Sequence, residues 1–183
     1  MKTLHEAYKP YQMADGGGDK GTAHSYIDVY SREIPAAEGK SLLEVGVWAG
    51  HSLKMWADYL PDSRIVGLDI DLSRLTFDVD GFEVLLCDAT KQAEVKNKVS
   101  GMFDYIVDDG SHTLEAQITA FYNLWDYLAV GGKYFIEDVL SVDVAESLAG
   151  KMFAFTGFPV RVYDLTAVKG RSDDILVQIT KVN

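Results

Sequence analysis

The chain is poor in cysteine, poor in cations and without a long apolar run. Cys87 is the only cysteine among 183 residues, which rules out an internal disulfide and fits a reducing compartment. Lys and Arg number 17 against 28 Asp and Glu, giving a net charge of −11. Non-specific attraction to phosphate backbones needs clustered cations, so nucleic acid is not an expected partner. The opening MKTLHEAYKPYQM holds no unbroken apolar stretch of signal-peptide length, and no run is long enough to span a bilayer. The sequence therefore predicts a cytoplasmic protein with no membrane partner. Internal repeats and low-complexity tracts are also missing, which excludes a solenoid.

What is present is a composition 48% hydrophobic, enough for one buried core and too little length for a second full domain. The first 19 residues mix polar side chains with Tyr8, Tyr11 and the Gly16-Gly17-Gly18 run, and are expected to be a flexible leading segment. Residues 20–183 are expected to fold as a single domain. Five short runs, SLLEVG, RIVGLDID, FEVLLCDA, FDYIVDDG and KYFIEDV, alternate with helix-like stretches around Ala23 to Glu33 and around Leu53, Trp56 and Leu60. This alternation predicts an α/β fold, a doubly wound and mostly parallel sheet of Rossmann-like type. Leu114, Ile118, Phe121, Trp125 and Leu128 recur at helical spacing and predict one helix packed on the sheet between the fourth and fifth strands. Val160 to Tyr163 and Ile175 to Ile179 predict an antiparallel hairpin at the sheet edge, bringing the strand number to seven.

All five runs meet carboxylates at or near their C-terminal ends, the edge at which open parallel sheets bind ligands. The first run leads into Glu44-Val45-Gly46-Val47-Trp48-Ala49-Gly50, where glycines suit a sharp strand-to-helix turn and close approach of a ligand. The spacing is not the Gly-x-Gly-x-x-Gly of dinucleotide folds, which disfavours a nicotinamide-dependent dehydrogenase. Asp69, 19 residues after Gly50, is placed to accept hydrogen bonds from a ribose diol, and Asp88 to meet an adenine amino group. Each feature alone also reads as an ordinary turn or a solvated acid, and Trp48 as plain packing.

Taken in order, these motifs resemble those of the class I S-adenosylmethionine-dependent methyltransferases over about Ser41 to Val139. The resemblance implies S-adenosylmethionine as cofactor, with Glu44 near its methionine amino group and Gly46, Gly50, Asp69 and Asp88 around the rest. The absence of an Asn-Pro-Pro-Tyr motif argues against methylation of a base.

Asp108-Asp109-Gly110-Ser111-His112 puts two carboxylates and an imidazole at one strand end, and Glu137-Asp138 follows on the next strand, 29 residues beyond Asp109. Clustered carboxylates repel unless a proton or cation lies between them, and a hard ion such as Mg²⁺ takes oxygen ligands of this kind. His112, with an unperturbed pKa near neutrality, is a candidate general base. Asp108 is a cofactor-side acid or a cap for the helix that follows. Val-Asp-Asp-Gly-Ser-His with Ile-Glu-Asp, together with Asp19-Lys20-Gly21-Thr22-x-His24-x-Tyr26, resembles the metal-dependent sugar O-methyltransferases of antibiotic biosynthesis of the mycinamicin and tetracenomycin rhamnose type. That resemblance implies a sugar or glycoside hydroxyl as acceptor, Asp109 and Asp138 as metal ligands with Glu137 beside them, and His112 as the base. It also implies that Lys20, His24 and Tyr26 contact the methionine end of the cofactor. A methyltransferase of catechol-like or nucleic-acid acceptors, and a non-catalytic S-adenosylmethionine-binding protein, stay open as alternatives, as does a homo-oligomer.

Overall fold

Leu42 and Leu43, adjacent on β1 (Ser41–Val45), are both fully buried, because successive side chains of a strand point to opposite faces and this sheet is covered on both. The computed structural model describes residues 1–12, 18–76 and 82–183. Six further strands complete one sheet: β2 (Arg64–Asp69), β3 (Glu83–Leu86), β4 (Phe103–Asp108), β5 (Leu128–Ile136), β6 (Val160–Asp164) and β7 (Ile175–Thr180). Their order is β3-β2-β1-β4-β5-β7-β6. The first five are mutually parallel, and β7 runs antiparallel to both β5 and β6, so the C-terminal pair forms the expected hairpin with β6 outermost.

The helices are α1 (Leu4–Tyr8), α2 (Tyr26–Glu33), α3 (His51–Tyr59), α4 (Gln92–Lys98), α5 (Leu114–Leu124), α6 (Val142–Thr156) and α7 (Thr166–Lys169). Residues of α1, α2 and α3 join Leu42, Ile65, Val107 and Phe135 in one core. Residues of α4, α5 and α6 join Leu43, Val66, Ile106 and Ile136 in the other. No helix among the described residues is long and apolar enough to cross a membrane.

Two expectations differ from the observed chain. Leu4, Ala7 and Tyr8 are buried on α1, a helix started by a capping box in which Thr3 and Glu6 satisfy each other's backbone N–H. The leading segment is thus packed at Leu4–Tyr8, while Gly16 and Gly17 lie outside the described residues. The apolar stripe from Leu114 to Leu128 is not one helix: α5 ends at Leu124, a 3₁₀ turn takes Trp125–Tyr127, and Leu128 opens β5. Helical spacing survives the break because a 3₁₀ turn keeps Trp125 facing the same core as Phe121.

Candidate active site

The sheet reverses its winding at β1, flanked by β2 and β4, and strand register fixes what meets there. Val45 pairs with Leu68 and with Asp108, and Asp108 pairs with Ile136. The residues one step further along, Asp69, Gly46, Asp109 and Glu137, therefore form a row along the carboxyl edge.

Gly46 has φ of 86°, and a Cβ there would lie 2.0 Å from the carbonyl oxygen of Asp109. Its lack of a side chain lets the β1 and β4 ends cross, a packing demand besides any approach of a ligand. Gly50, with φ of 83°, starts α3 in the left-handed region, and Trp48 between them is also left-handed, with φ of 48°. Asp69 holds this loop: one carboxylate oxygen accepts from the N–H groups of Val47 (2.7 Å) and Trp48 (2.9 Å), and the other from that of Asp71 (3.0 Å). Asp88 accepts from the N–H and hydroxyl of Thr90, and those bonds outweigh partial burial to keep its carboxyl below its ordinary value.

Above the row opens a cavity of about 1140 Å³ lined by the 45–52 loop, Leu68 to Asp71, Arg74, Cys87 to Thr90, Asp108 to Ser111 and the strap residues Gly18 to Lys20. Gly46, Gly50, Asp69, Asp88, Asp108 and Asp109 line it, whereas Glu44, expected beside the cofactor, is fully buried and is not among the lining residues. Asp71 and Arg74 were not expected there; the guanidinium of Arg74 lies 3.9 Å from the Trp48 ring centroid, and both follow β2, where a sequence search past Asp69 could have found them. Asp108 is buried, and desolvation, reinforced by Asp109, pushes its carboxyl up to about 7 against the Gly110 N–H bond.

Beyond Asp109 the cavity meets a cluster of charges. Lys20, only 2% exposed, donates to Asp109 Oδ2 at 2.7 Å and to both oxygens of Glu137 at 2.8 Å, and lies 3.4 Å from Glu44. Burial opposes its charge, but the three carboxylates win and raise its pKa well above the ordinary value. Tyr30 also donates to Glu137, at 2.6 Å, so that carboxylate is engaged by protein donors. Burial raises Glu137 and Glu44 above the usual carboxylate range, with Lys20 pulling the other way. Glu44 accepts from Ser52 at 2.6 Å through Oε1, while its buried Oε2 has no hydrogen-bond partner.

Asp138 sits just past β5 with φ of 52°, and its N–H donates to the Tyr26 hydroxyl, which donates in turn to Asp138 Oδ1 at 2.8 Å. Burial and the Asp109 charge raise its pKa. Asp109, His112 and Asp138 bring one ligand atom each within 4.8 Å of one another, with His112 Nε2 4.0 Å from Asp138 Oδ2. The expected metal set thus divides: Asp109 and Asp138 come together with His112, whereas Glu137 is held by Lys20. His24 and Tyr26 turn toward Asp138 instead of lining the cavity, and Lys20 is the counter-ion of the acidic cluster.

A doubly wound sheet of this order, ending in an antiparallel pair and carrying its cavity at the carboxyl edge, has the Rossmann-like methyltransferase fold. The whole chain superposes on 54% of the MycE methyltransferase of the mycinamycin biosynthetic pathway, a structure in complex with Mg, SAH and mycinamycin VI, at a TM-score of 0.73 and 23% identity. In sequence the chain is 32% identical over 131 residues to L-olivosyl-oleandolide 3-O-methyltransferase of Streptomyces antibioticus, covering 66% of this chain and 34% of that protein. Mycinamicin VI 2''-O-methyltransferase of Micromonospora griseorubida is 32% identical over 133 residues, covering 65% and 32% respectively. The chain is thus a relative of sugar O-methyltransferases across the matched segment, and spans about a third of their length. No protein-family model matches it.

Proposed function

We propose that the chain is an S-adenosylmethionine-dependent O-methyltransferase acting, with help from a divalent cation, on a hydroxyl of a sugar or glycoside. The observation that carries this reading is Asp109, which lines the cofactor-sized cavity and also belongs to the carboxylate and imidazole group at its end. The site fits both groups. Asp69 and Asp88 border the cavity with acceptor oxygens, and the Asp109 and Asp138 carboxylates, brought together at its end, suit a divalent ion.

When bound, S-adenosylmethionine supplies an electrophilic methyl group on a sulfonium. A cation held by Asp109 and Asp138 supplies positive charge that makes a nearby hydroxyl more acidic. Asp69 fixes the 47–48 backbone that would border the cofactor, and Asp88 is offered to its adenine side. Lys20 neutralises Glu137 and part of the charge on Asp109, so that the acidic end does not hold a cationic sulfonium too tightly in the ground state. His112, 43% exposed, is free to approach an incoming acceptor and take the proton of its hydroxyl as the oxygen attacks.

Calorimetric titration with S-adenosylmethionine and with NAD tests the cofactor assignment. Saturable binding of the first and none of the second is expected. NAD binding alone would overturn it.

A further inference from the structure

The strap before α2 folds back on itself, the His24 N–H donating to the Asp19 carbonyl at 2.9 Å, and this turn presents both side chains to Asp138. Asp19, His24 and Asp138 each offer a ligand atom, all within 4.8 Å of one another. His24 is 2% exposed, and its Nδ1 is buried with no hydrogen-bond partner. A ring nitrogen stripped of water in this way is costly unless something occupies its lone pair.

The distance says what would occupy it. Nδ1 stands 3.1 Å from Asp138 Oδ1 without the alignment of a hydrogen bond. Two ligand atoms at right angles on an ion with bonds of about 2.1 Å lie about 3.0 Å apart. The pair is therefore spaced as one edge of an octahedral site. The Tyr26 ring stacks on His24 at 5.0 Å and 24°, fixing the ring plane, while the Tyr26 hydroxyl holds Asp138 Oδ1. Other charges nearby are already engaged. Asp174, 3.9 Å from Nδ1, accepts from the N–H and hydroxyl of Ser25, and the Lys20 ammonium is bound to Asp109 and Glu137. Asp138 Oδ2, by contrast, is the oxygen nearest His112.

We propose that Asp19, His24 and Asp138 form a second cation site, sharing Asp138 with the Asp109 and His112 group and pinning the strap to the end of β5. One imidazole among carboxylates favours a first-row transition ion such as Co²⁺, Mn²⁺ or Zn²⁺ over Mg²⁺. The proposal goes beyond the methyl-transfer reading and does not depend on the reaction.

Equilibrium dialysis of the full chain against diamagnetic Zn²⁺, with the histidine ring nitrogen resonances followed by NMR, tests it. Wild type should take up two equivalents, His24→Asn one and Asp109→Asn one, and saturation should shift the His24 Nδ1 resonance of the wild type to that of a metal-bound nitrogen. Should His24→Asn fail to fold, that wild-type shift decides alone. A single equivalent that is indifferent to His24→Asn, and that leaves the His24 Nδ1 resonance without the metal-bound shift, would overturn the second site and leave the metal-assisted reading intact. One equivalent lost in both variants would also overturn it, as a single shared ion. No uptake at all would overturn both.

Discussion

Lys20 is the residue on which the acidic end of the site balances. It is buried against Glu44, Asp109 and Glu137, and replacing it with methionine would take the ammonium away from three carboxylates at once. Lys20→Met should cost about 3–5 kcal/mol, the usual penalty for stripping one partner from a buried ion pair, read as a lower midpoint in urea. An unchanged midpoint would mean that water reaches the cluster. Gly46 is constrained as strictly by backbone: with a Cβ 2.0 Å from the Asp109 carbonyl, Gly46→Ala should lower stability by more than about 2 kcal/mol even without cofactor. His112 differs from both because its side chain is 43% exposed. His112→Ala should leave the melting temperature and cofactor affinity near wild type while lowering turnover about 10²–10⁴-fold. Near-normal turnover in that variant would give proton removal to another group.

Among the elements, α1 reaches the site without touching it. The Tyr8 hydroxyl donates to the Gly18 carbonyl and accepts from the Gly21 N–H at 3.1 Å, so it clamps the strap that carries Lys20 and His24. Tyr8→Phe should cost about 1–3 kcal/mol, from the Gly21 N–H left unpaired and the Gly18 carbonyl left with only the Thr22 hydroxyl, and should raise hydrogen exchange across residues 18–24 first. Uniform exchange along the chain would refute the clamp. At the start of β1, Asp104 accepts from the Ser41 N–H and from Lys40, bonds that outweigh partial burial and hold its carboxyl below its ordinary value. Its contribution to stability is therefore present above about pH 4 and is lost as the pH falls through the lowered native value. Asp104→Asn should flatten that part of the acid limb in a pH series of thermal melts. The strands were legible because each is a short apolar run ending in an acid, a pattern local to a few residues. The five residues of α1 are too few to show a helical period, and neither α4 nor the buried stripe of Ala145, Leu148 and Met152 on α6 was read from the sequence. The roles of Lys20 and Gly46 depend on contacts across 117 and 63 residues, to Glu137 and to Asp109, which no local spacing can reveal.

At the scale of the whole molecule, the doubly wound topology gathers acids from five strand ends onto one edge, and the chain then spends a buried lysine and several hydroxyls to keep them there. A net charge of −11 suits an uncharged acceptor and a cationic cofactor better than a polyanion. The proposed acceptor class is taken from relatives whose own length is about three times the segment they share with this chain, and an assay of the chain itself tests it. The decisive measurement is transfer of a labelled methyl group from S-adenosylmethionine to a rhamnose-bearing or olivose-bearing glycoside, run with Mg²⁺, with excess chelator, and with Mg²⁺ restored. The account predicts label on a sugar hydroxyl, lost with chelator and recovered with the ion. No label on any glycoside, or undiminished transfer in excess chelator, would contradict it.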